Sequence, residues 1–521
     1  SFTILDADDA LALVKKLMKA KGIDDKKFHP KAVMGRISLA KNAFLTPEEF
    51  PAHAEGPLDT IVADIYRAYE AEKLQANCVD FDDLIVLPVV LFEQHPQILE
   101  KYRRRWQYIS VDEFQDTNAV QFRFLQLLAA DHRNLCAIGD SDQSIYSFRG
   151  ADITNLLDFQ KHFDDARIIK LEQNYRSTQN ILDAADGVIA NNQSRVPKKM
   201  WTDAGPGELV EVIDCRDERE EAEVIIRSIE GIKDLENKRY ADFAILIRTN
   251  AQSRALEEAC VRHALPYQIV GGLKFYARKE IRDILAYLKF ISNPLDAVSL
   301  LRIINLPPRK IGATTIARLT QYASDRGVGL GEVLEHIEFA EGVPPAAKTA
   351  ISGFTAKVNA LRGRLQAVTP AELIHEVVER FGLEAFYRDG TEEGEMRFEN
   401  ILELQSVAHR YDGHERATAL AAFLEEVALI SDADSVESTD RITIMTLHTS
   451  KGLEFPVVFL PGLEEGILPH ARSLYEPEAI EEERRLMYVG MTRAMEKLII
   501  LRADSRMGFG EVRMNPGSRF L

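Results

Sequence analysis

Asp112 and Glu113 close an apolar run, Tyr108-Ile109-Ser110-Val111, inside the stretch Val111-Asp112-Glu113-Phe114-Gln115-Asp116. Two adjacent carboxylates at a strand end suit metal-assisted phosphate chemistry. One can hold Mg²⁺ through its waters while the other polarises an attacking water. Taken alone, such a pair is more often structural, acids that merely cap a helix, than catalytic. The companion such a pair normally needs, a G-x-x-x-x-G-K-[ST] loop to cradle phosphates, occurs nowhere in the 521 residues. The expectation is therefore half of a nucleotide site whose other half has been cut away.

Further chemistry-bearing residues follow short apolar segments. Gly139-Asp140-Ser141-Asp142-Gln143 continues into Ser144-Ile145-Tyr146-Ser147-Phe148-Arg149-Gly150. Gln143 suits sensing a terminal phosphate or orienting water. Tyr146 and Phe148 offer π-faces beside the Arg149 cation, the combination used for sequence-tolerant binding of single strands. The plainer reading makes the two aromatics core residues. In Gln173-Asn174-Tyr175-Arg176-Ser177, Tyr175 could stack on a purine and Arg176 reach a phosphate, with Ser177 or Thr178 capping a helix. Near the end, Thr446-Leu447-His448-Thr449-Ser450-Lys451-Gly452-Leu453-Glu454 offers a ribose acceptor in Glu454. The helix reading of Glu481 to Ala494 gives an acidic opening, Glu481 to Glu483, that suits the helix dipole. It ends on Arg493, which could stabilise a transferring phosphoryl group from across a cleft.

These residues need a scaffold that brings strand ends together. Short apolar runs at Leu135 to Ile138 and Arg167 to Leu171 read as strands beside Tyr108 to Val111, with a helix at Ala119 to Ala130. Phe81 to Phe92 is a further apolar segment leading to the acid pair. A second strand set comprises Val210 to Ile213, Phe243 to Ile247, Ile442 to Leu447, Val457 to Leu460 and Leu498 to Leu501. Strands alternating with helices imply parallel sheets with ligands at the carboxyl ends of the strands. From Phe275 to Ser431 helical periodicity replaces the strand signal.

A chain of 521 residues carries several domains, and 46% hydrophobic with 28% charged residues is ordinary for a globular protein. The formal charge of −18 excludes a generally basic coat protein and leaves local grooves open. Cys78, Cys136, Cys215 and Cys260 form no C-x-x-C pair, so neither a zinc site nor a disulfide framework is expected. The longest apolar run, Leu84 to Phe92, is broken by Pro88 and falls short of a bilayer span. A cytoplasmic protein without membrane association is the expectation.

Together the blocks resemble the UvrD/PcrA/Rep family of superfamily 1 DNA helicases. Asp112 to Asp116 resembles the family's motif II, Gly139 to Gly150 motif III, Gln173 to Ser177 motif IV, Thr446 to Glu454 motif V, and Val489 to Ala494 motif VI. The resemblance implies two RecA-like P-loop NTPase-type α/β domains, the first incomplete, with helical insertions. Its divisions are a helical insertion at 1–76, the rest of the first motor domain at 77–172, the second motor domain at 173–270 and 435–521, and a mainly helical subdomain at 271–434.

By this resemblance Asp112 would hold Mg²⁺ and Glu113 would activate water. Gln143, Arg176 and Arg493 would contact the γ-phosphate of ATP, Tyr175 would stack on adenine, and Glu454 would bind the ribose. Tyr146, Phe148 and Arg149 would line a single-stranded DNA track coupled to ATP by Thr446 and His448, and the turn at Gly312 would meet duplex phosphate. The implied activity is ATP-dependent 3′-to-5′ unwinding in DNA repair or replication restart, on single strands and single-strand/duplex junctions alongside repair or replication proteins. The sequence departs from the family pattern in lacking the phosphate loop, and the expectation is an N-terminally truncated chain. It also has Phe148 where Trp is usual, and Thr449-Ser450 before Lys451. The rival expectation is a non-hydrolysing, helicase-derived module that binds DNA or a partner.

Overall fold

Five consecutive buried residues, Phe243–Ile247, form the middle of the largest sheet. A parallel strand covered by helices on both faces must be apolar on both, so it reads as an unbroken hydrophobic run. The computed structural model describes residues 3–25, 27–271, 274–433, 440–508 and 511–521. Its twelve strands are β1 (Thr3–Ile4), β2 (Cys78–Val79), β3 (Ile109–Val111), β4 (Leu135–Ala137), β5 (Glu211–Cys215), β6 (Phe243–Ile247), β7 (Tyr267–Val270), β8 (Ile442–Thr446), β9 (Phe455–Leu460), β10 (Ala494–Ala503), β11 (Arg506–Gly508) and β12 (Glu511–Arg513).

The large sheet runs β5-β10-β9-β6-β8-β7 and is parallel throughout. Ile245 sits opposite Ile444 on one side and Phe459 on the other. The helices Gln179–Ile189 and Pro477–Met491 pack on one face through Ile181, Ala185, Leu486 and Met487. The helices Glu218–Glu236 and Ser253–Arg262 cover the other through Ile225, Ile226, Leu256 and Ala259. Long connections between strands of one sheet are what a parallel crossover requires, and the longest of them, between β7 and β8, carries the helical subdomain.

That subdomain has its own core, including Tyr287, Phe354 and Phe423. Buried charge joins it to the sheet domain. Arg254, 2% exposed, donates to Glu403, and Arg410 donates to Glu258 at 2.8 Å. A buried ion pair is costly to break because each partner leaves the other desolvated, so this junction holds the subdomain in register.

The first motor domain contributes the parallel pair β3-β4, with Val111 opposite Ala137. The helix Ala119–Ala129 joins the two strands and starts at a reciprocal cap between Asn118 and Gln121. The helices Ala7–Ala20, Pro30–Asn42 and Gly56–Gln75 form a separate packed unit around Val14, Ile37 and Tyr69. Lys41 and Lys73, both 2% exposed, tie it to the acids Asp80 and Asp83. Glu70, Asp80 and Asp83 lie close enough to ligate a metal, but the two ammonium groups already compensate them.

Several local expectations change. Arg167 to Leu171 is not a strand: its apolar residues Ile168, Ile169 and Leu171 are exposed, and no neighbouring strand pairs with them among the described residues. Most of Phe81 to Phe92 is helix, Asp83–Gln94, with Pro88 inside at the cost of one backbone hydrogen bond. β7 was missed because Gln268 interrupts a short run. Glu481 to Glu483 do not open their helix, which starts four residues earlier at Pro477. The division at 434/435 falls outside the described residues.

Candidate active site

β3 ends at Val111 and hands the chain to Asp112 and Glu113, both exposed at the strand's carboxyl end. Glu113 takes a left-handed conformation, φ 50° and ψ 41°, which is uncommon outside glycine and concentrates where function demands it. The reversal carries the chain into the short turn Phe114–Asp116 and leaves the Glu113 carboxylate facing the cleft. The Glu113 N–H donates to Asp112 Oδ1 at 2.9 Å. Asp112 and Glu113 line an opening of about 360 Å³ with Asp116 and Gln121.

β4 delivers the second loop beside the first. Gly139 permits this approach: a Cβ there would stand 2.5 Å from Gln115 Oε1 and 3.3 Å from the backbone nitrogens of Phe114 and Gln115. Gln115 is fully buried and bonds both loops. It accepts from the Asp140 N–H at 3.0 Å and donates to Glu113 Oε2 at 2.6 Å. Gln143 donates to Asp140 Oδ2 at 2.8 Å. One buried amide thus links the acid pair to the phosphate-sensing candidate, and its position inside the motif II block was the only signal for it in the sequence.

The opposite wall comes from the second motor domain. Arg176 donates to Glu454 at 2.7 Å and to the Thr492 carbonyl at 3.3 Å. Arg493 is 2% exposed and donates to the carbonyls of Val489 and Leu453 and to Thr492 Oγ1. Burial, followed by the nearby Arg176 cation, pushes Arg493 down to about 10. It remains a cation at neutral pH, held by neutral oxygens rather than neutralised by a carboxylate. Tyr175 is 85% exposed, with its hydroxyl donating to Gln173 at 3.0 Å. Neither Ser177 nor Thr178 caps the following helix with its side chain: Ser177 Oγ donates to the Ala494 carbonyl instead.

Lys451, which residue type and spacing alone did not single out, crosses between the walls. Its ammonium donates to Asp116 and to the Gln143 carbonyl at 3.0 Å, and lies 3.1 Å from Glu113. Burial raises the pKa of Asp116 above the carboxylate range although Lys451 pulls it down. One Asp116 oxygen, Oδ1, is buried without a hydrogen-bond partner. This oxygen-only donor set fits Mg²⁺, with Asp112 as the accessible ligand.

Tyr146, Phe148, Arg149 and His448 lie on the loops beside the cleft, and Thr446 ends β8. The Phe148 ring meets His448 edge-on at 5.6 Å, Tyr146 lies 6.0 Å from Phe148, and the Arg149 guanidinium covers both aromatics at 5.4 and 5.5 Å. Phe148 is 45% exposed, so it is not the core residue of the plainer reading. Burial, then the Arg248 cation, lowers His448 to about 4; the imidazole is neutral. Thr446 bonds Thr449 within the same turn at 2.8 Å. Gly312 stands apart, in the helical subdomain, at the start of the helix Ala313–Arg326. Its φ is −79°, and the left-handed residue of that turn is Lys310.

Helix Pro477–Met491 ties the two sites together. Glu482 accepts from the N–H and hydroxyl of Ser147, between Tyr146 and Phe148, while Glu483 accepts from Arg248 at 2.7 Å. Gly490 lets this helix meet the motif V turn, because a Cβ there would be 2.3 Å from Leu447.

Acids on the strand ends of one parallel-sheet domain and arginines on another, with an aromatic cluster on the same loops, define a two-domain nucleotide motor. The family model described as UvrD/REP helicase N-terminal domain matches residues 1–164, and that described as UvrD-like helicase C-terminal domain matches residues 169–505. The chain belongs to the UvrD/PcrA-like helicase family, and its fold is that of two RecA-like domains with helical insertions. It is 44% identical to the ATP-dependent DNA helicase PcrA of Bacillus subtilis (strain 168), over all of this chain and 71% of that protein. It is 43% identical, with the same coverage, to the ATP-dependent DNA helicase UvrD1 of Mycobacterium tuberculosis, and 41% identical to PcrA of Leuconostoc citreum. These matches do not bear on the expected loss of a phosphate-loop segment. No helix among the described residues is long and apolar enough to cross a membrane.

Proposed function

We propose that this chain is the motor of an ATP-dependent DNA helicase that moves 3′ to 5′ along single-stranded DNA and acts in the cytoplasm at single-strand/duplex junctions in repair or replication restart. The observation that carries the reading is the cross-cleft arrangement. Lys451 of the second domain reaches Glu113 and the Gln143 carbonyl on the first, and Arg493, with Arg176 beside it, lies within electrostatic reach of Glu113. A scaffold has no physical need for two arginines kept charged beside a pair of carboxylates.

In this reading Asp112 would hold Mg²⁺ with ATP, and the ion would supply charge neutralisation on the phosphates when bound. Glu113 accepts the proton of the attacking water, oriented by the Gln115 amide. Gln143 hydrogen-bonds the terminal phosphate, and Arg176 and Arg493 stabilise the charge that develops on it. For Arg176 this requires release from Glu454, which then accepts from the ribose. Tyr175 stacks on the adenine. Phe148 and Tyr146 receive bases and Arg149 a phosphate, Thr446 and His448 couple the strand to ATP, and the backbone N–H groups after Gly312 meet a duplex phosphate.

The test is steady-state ATP hydrolysis by the natural polypeptide with and without single-stranded DNA, beside Glu113→Gln. Strong DNA stimulation is expected. The variant should bind ATP and DNA normally while turnover falls by about 10²–10⁴-fold, the usual contribution of a general base. Near-normal turnover in the variant would remove Glu113 from its role. DNA binding without hydrolysis in the wild type would replace the reading with a non-hydrolysing binding module.

A further inference from the structure

The chain between helix Gln179–Ile189 and β5 belongs to the second motor domain, yet it grips the loop after β4 in the first. Arg195 donates twice to Asp142, at 2.9 and 2.7 Å, and Asp142 is fully buried. The Val196 N–H donates to Ser141 Oγ at 3.0 Å. Lys198 donates to Asp140 Oδ1, lies 3.5 Å from Asp142, and sits over the Tyr488 ring at 5.6 Å. Both Lys198 and Asp140 are largely screened from water, with side chains 15% and 22% exposed.

Asp140 joins this clasp to the catalytic candidates. Its Oδ2 accepts from Gln143, its Oδ1 also accepts from the Asp142 N–H, and its own N–H donates to Gln115, which donates on to Glu113. Burial works against the Asp140 charge, but Lys198, joined by Gln143 and the Asp142 N–H, holds the carboxyl below the usual carboxylate range. The ionised form is the one these partners favour, since Lys198, Gln143 and the Asp142 N–H all aim donors at the carboxylate.

We propose that Lys198 is a positioning residue for ATP hydrolysis. Through Asp140 it sets the side chain of Gln143, and through Gln115 that of Glu113, so the two are aligned when the second motor domain is seated on the first. Removing the lysine leaves a desolvated carboxylate whose cheapest response is to rotate or take a proton; rotation frees the Gln143 amide, and a proton on Oδ1 removes the charge that makes Oδ2 a strong acceptor for it. The inference rests on the helicase reading above.

Lys198→Ala and Lys198→Arg in the natural polypeptide test it with saturating single-stranded DNA. Lys198→Ala should lower kcat by about tenfold or more while KM for ATP and affinity for the strand shift by less than about threefold; Lys198→Arg should restore most of kcat. An unchanged kcat in Lys198→Ala overturns the proposal. So does a loss that Lys198→Arg leaves unrelieved and that lowers DNA affinity in parallel, since that marks a merely structural residue. Hydrogen exchange of the 139–147 segment without nucleotide reads the clasp independently of turnover. Exchange there should quicken by about tenfold in Lys198→Ala, and unchanged protection overturns the proposal even if kcat falls. A wild type that never hydrolyses ATP defeats the helicase reading, and the exchange measurement then decides alone whether Lys198 orders this loop.

Discussion

Gly139→Ala isolates the Gln115 amide with a single methyl group. The added Cβ would lie 2.5 Å from Gln115 Oε1, whereas its contacts with the Phe114 and Gln115 nitrogens, at 3.3 Å, need only a few tenths of an ångström of relief. The clash therefore resolves by swinging the amide away. That strands the Asp140 N–H without its acceptor, at about 1–3 kcal/mol for an unsatisfied buried donor. It also removes the Gln115 bond to Glu113, which is half-exposed and recovers much of the loss from water. The sum is about 2–3 kcal/mol of stability, too little to unfold a domain with a core of this size. Catalysis should suffer more, because a reacting group displaced by about 1 Å loses on the order of 10²-fold in rate. DNA-stimulated hydrolysis by Gly139→Ala should show a kcat lowered by about 10- to 100-fold with KM for ATP little changed. Gln115→Leu, which keeps the volume and deletes the amide, should match it. Wild-type turnover in either variant would refute the orienting role of Gln115.

Two further outcomes concern the aromatic cluster and the buried imidazoles. Phe148→Ala removes an exposed stacking face worth about 1–3 kcal/mol per base, so single-strand affinity at fixed salt should weaken by about 5- to 150-fold in fluorescence anisotropy; unchanged affinity would return Phe148 to a packing role. His448 and His470 are each pushed down to about 4, by burial first and then by Arg248. Both are neutral in the fold while the unfolded chain takes up their protons below about 6.5. Their contribution to stability is thus present above that pH and is lost as pH falls toward 4, by about 2 kcal/mol each between pH 7 and pH 5. Denaturant midpoints at the two pH values measure it, and a His448→Asn, His470→Asn double variant should flatten the difference.

What could be read from the sequence was what acts locally. Five of the six strands of the large sheet were legible, most plainly where burial on both faces writes a continuous apolar run, as in Phe243–Ile247. The same rule misled at Ile168, Ile169 and Leu171, where an equally apolar run has no neighbour to pair with among the described residues. The acid pair, Gln143, Arg176, Arg493 and the Tyr146-Phe148-Arg149 cluster stood out because their types and spacing sit within a few residues. Asp140, Arg195, Lys198 and Lys451 did not, since each acquires meaning only from a partner many residues away in the chain. The acidic triplet Glu481 to Glu483 shows the difference most plainly. As local sequence it is helix-dipole decoration, but in space Glu481 holds the 193–194 backbone, Glu482 holds Ser147 and Glu483 holds Arg248.

That triplet also bears on how a nucleotide cleft and a DNA track share one motion. Helix Pro477–Met491 has 15 residues and is about 22 Å long. Its middle bonds the Ser147 backbone, and Arg493 follows its last turn by two residues. Gly490 and the buried Leu486 and Met487 pack it tightly to the large sheet, so the helix moves with that sheet as one piece. A pull on Arg493 by phosphate charge therefore acts on a rod whose other contacts reach Phe148 through Ser147 and His448 through Arg248. Arg195 and Lys198 fix the opposite end of the same loop. Both ends of the 139–150 loop are tied to the second motor domain, so on the helicase reading proposed above the loop is the link by which phosphate charge at Arg493 would act on the aromatic cluster.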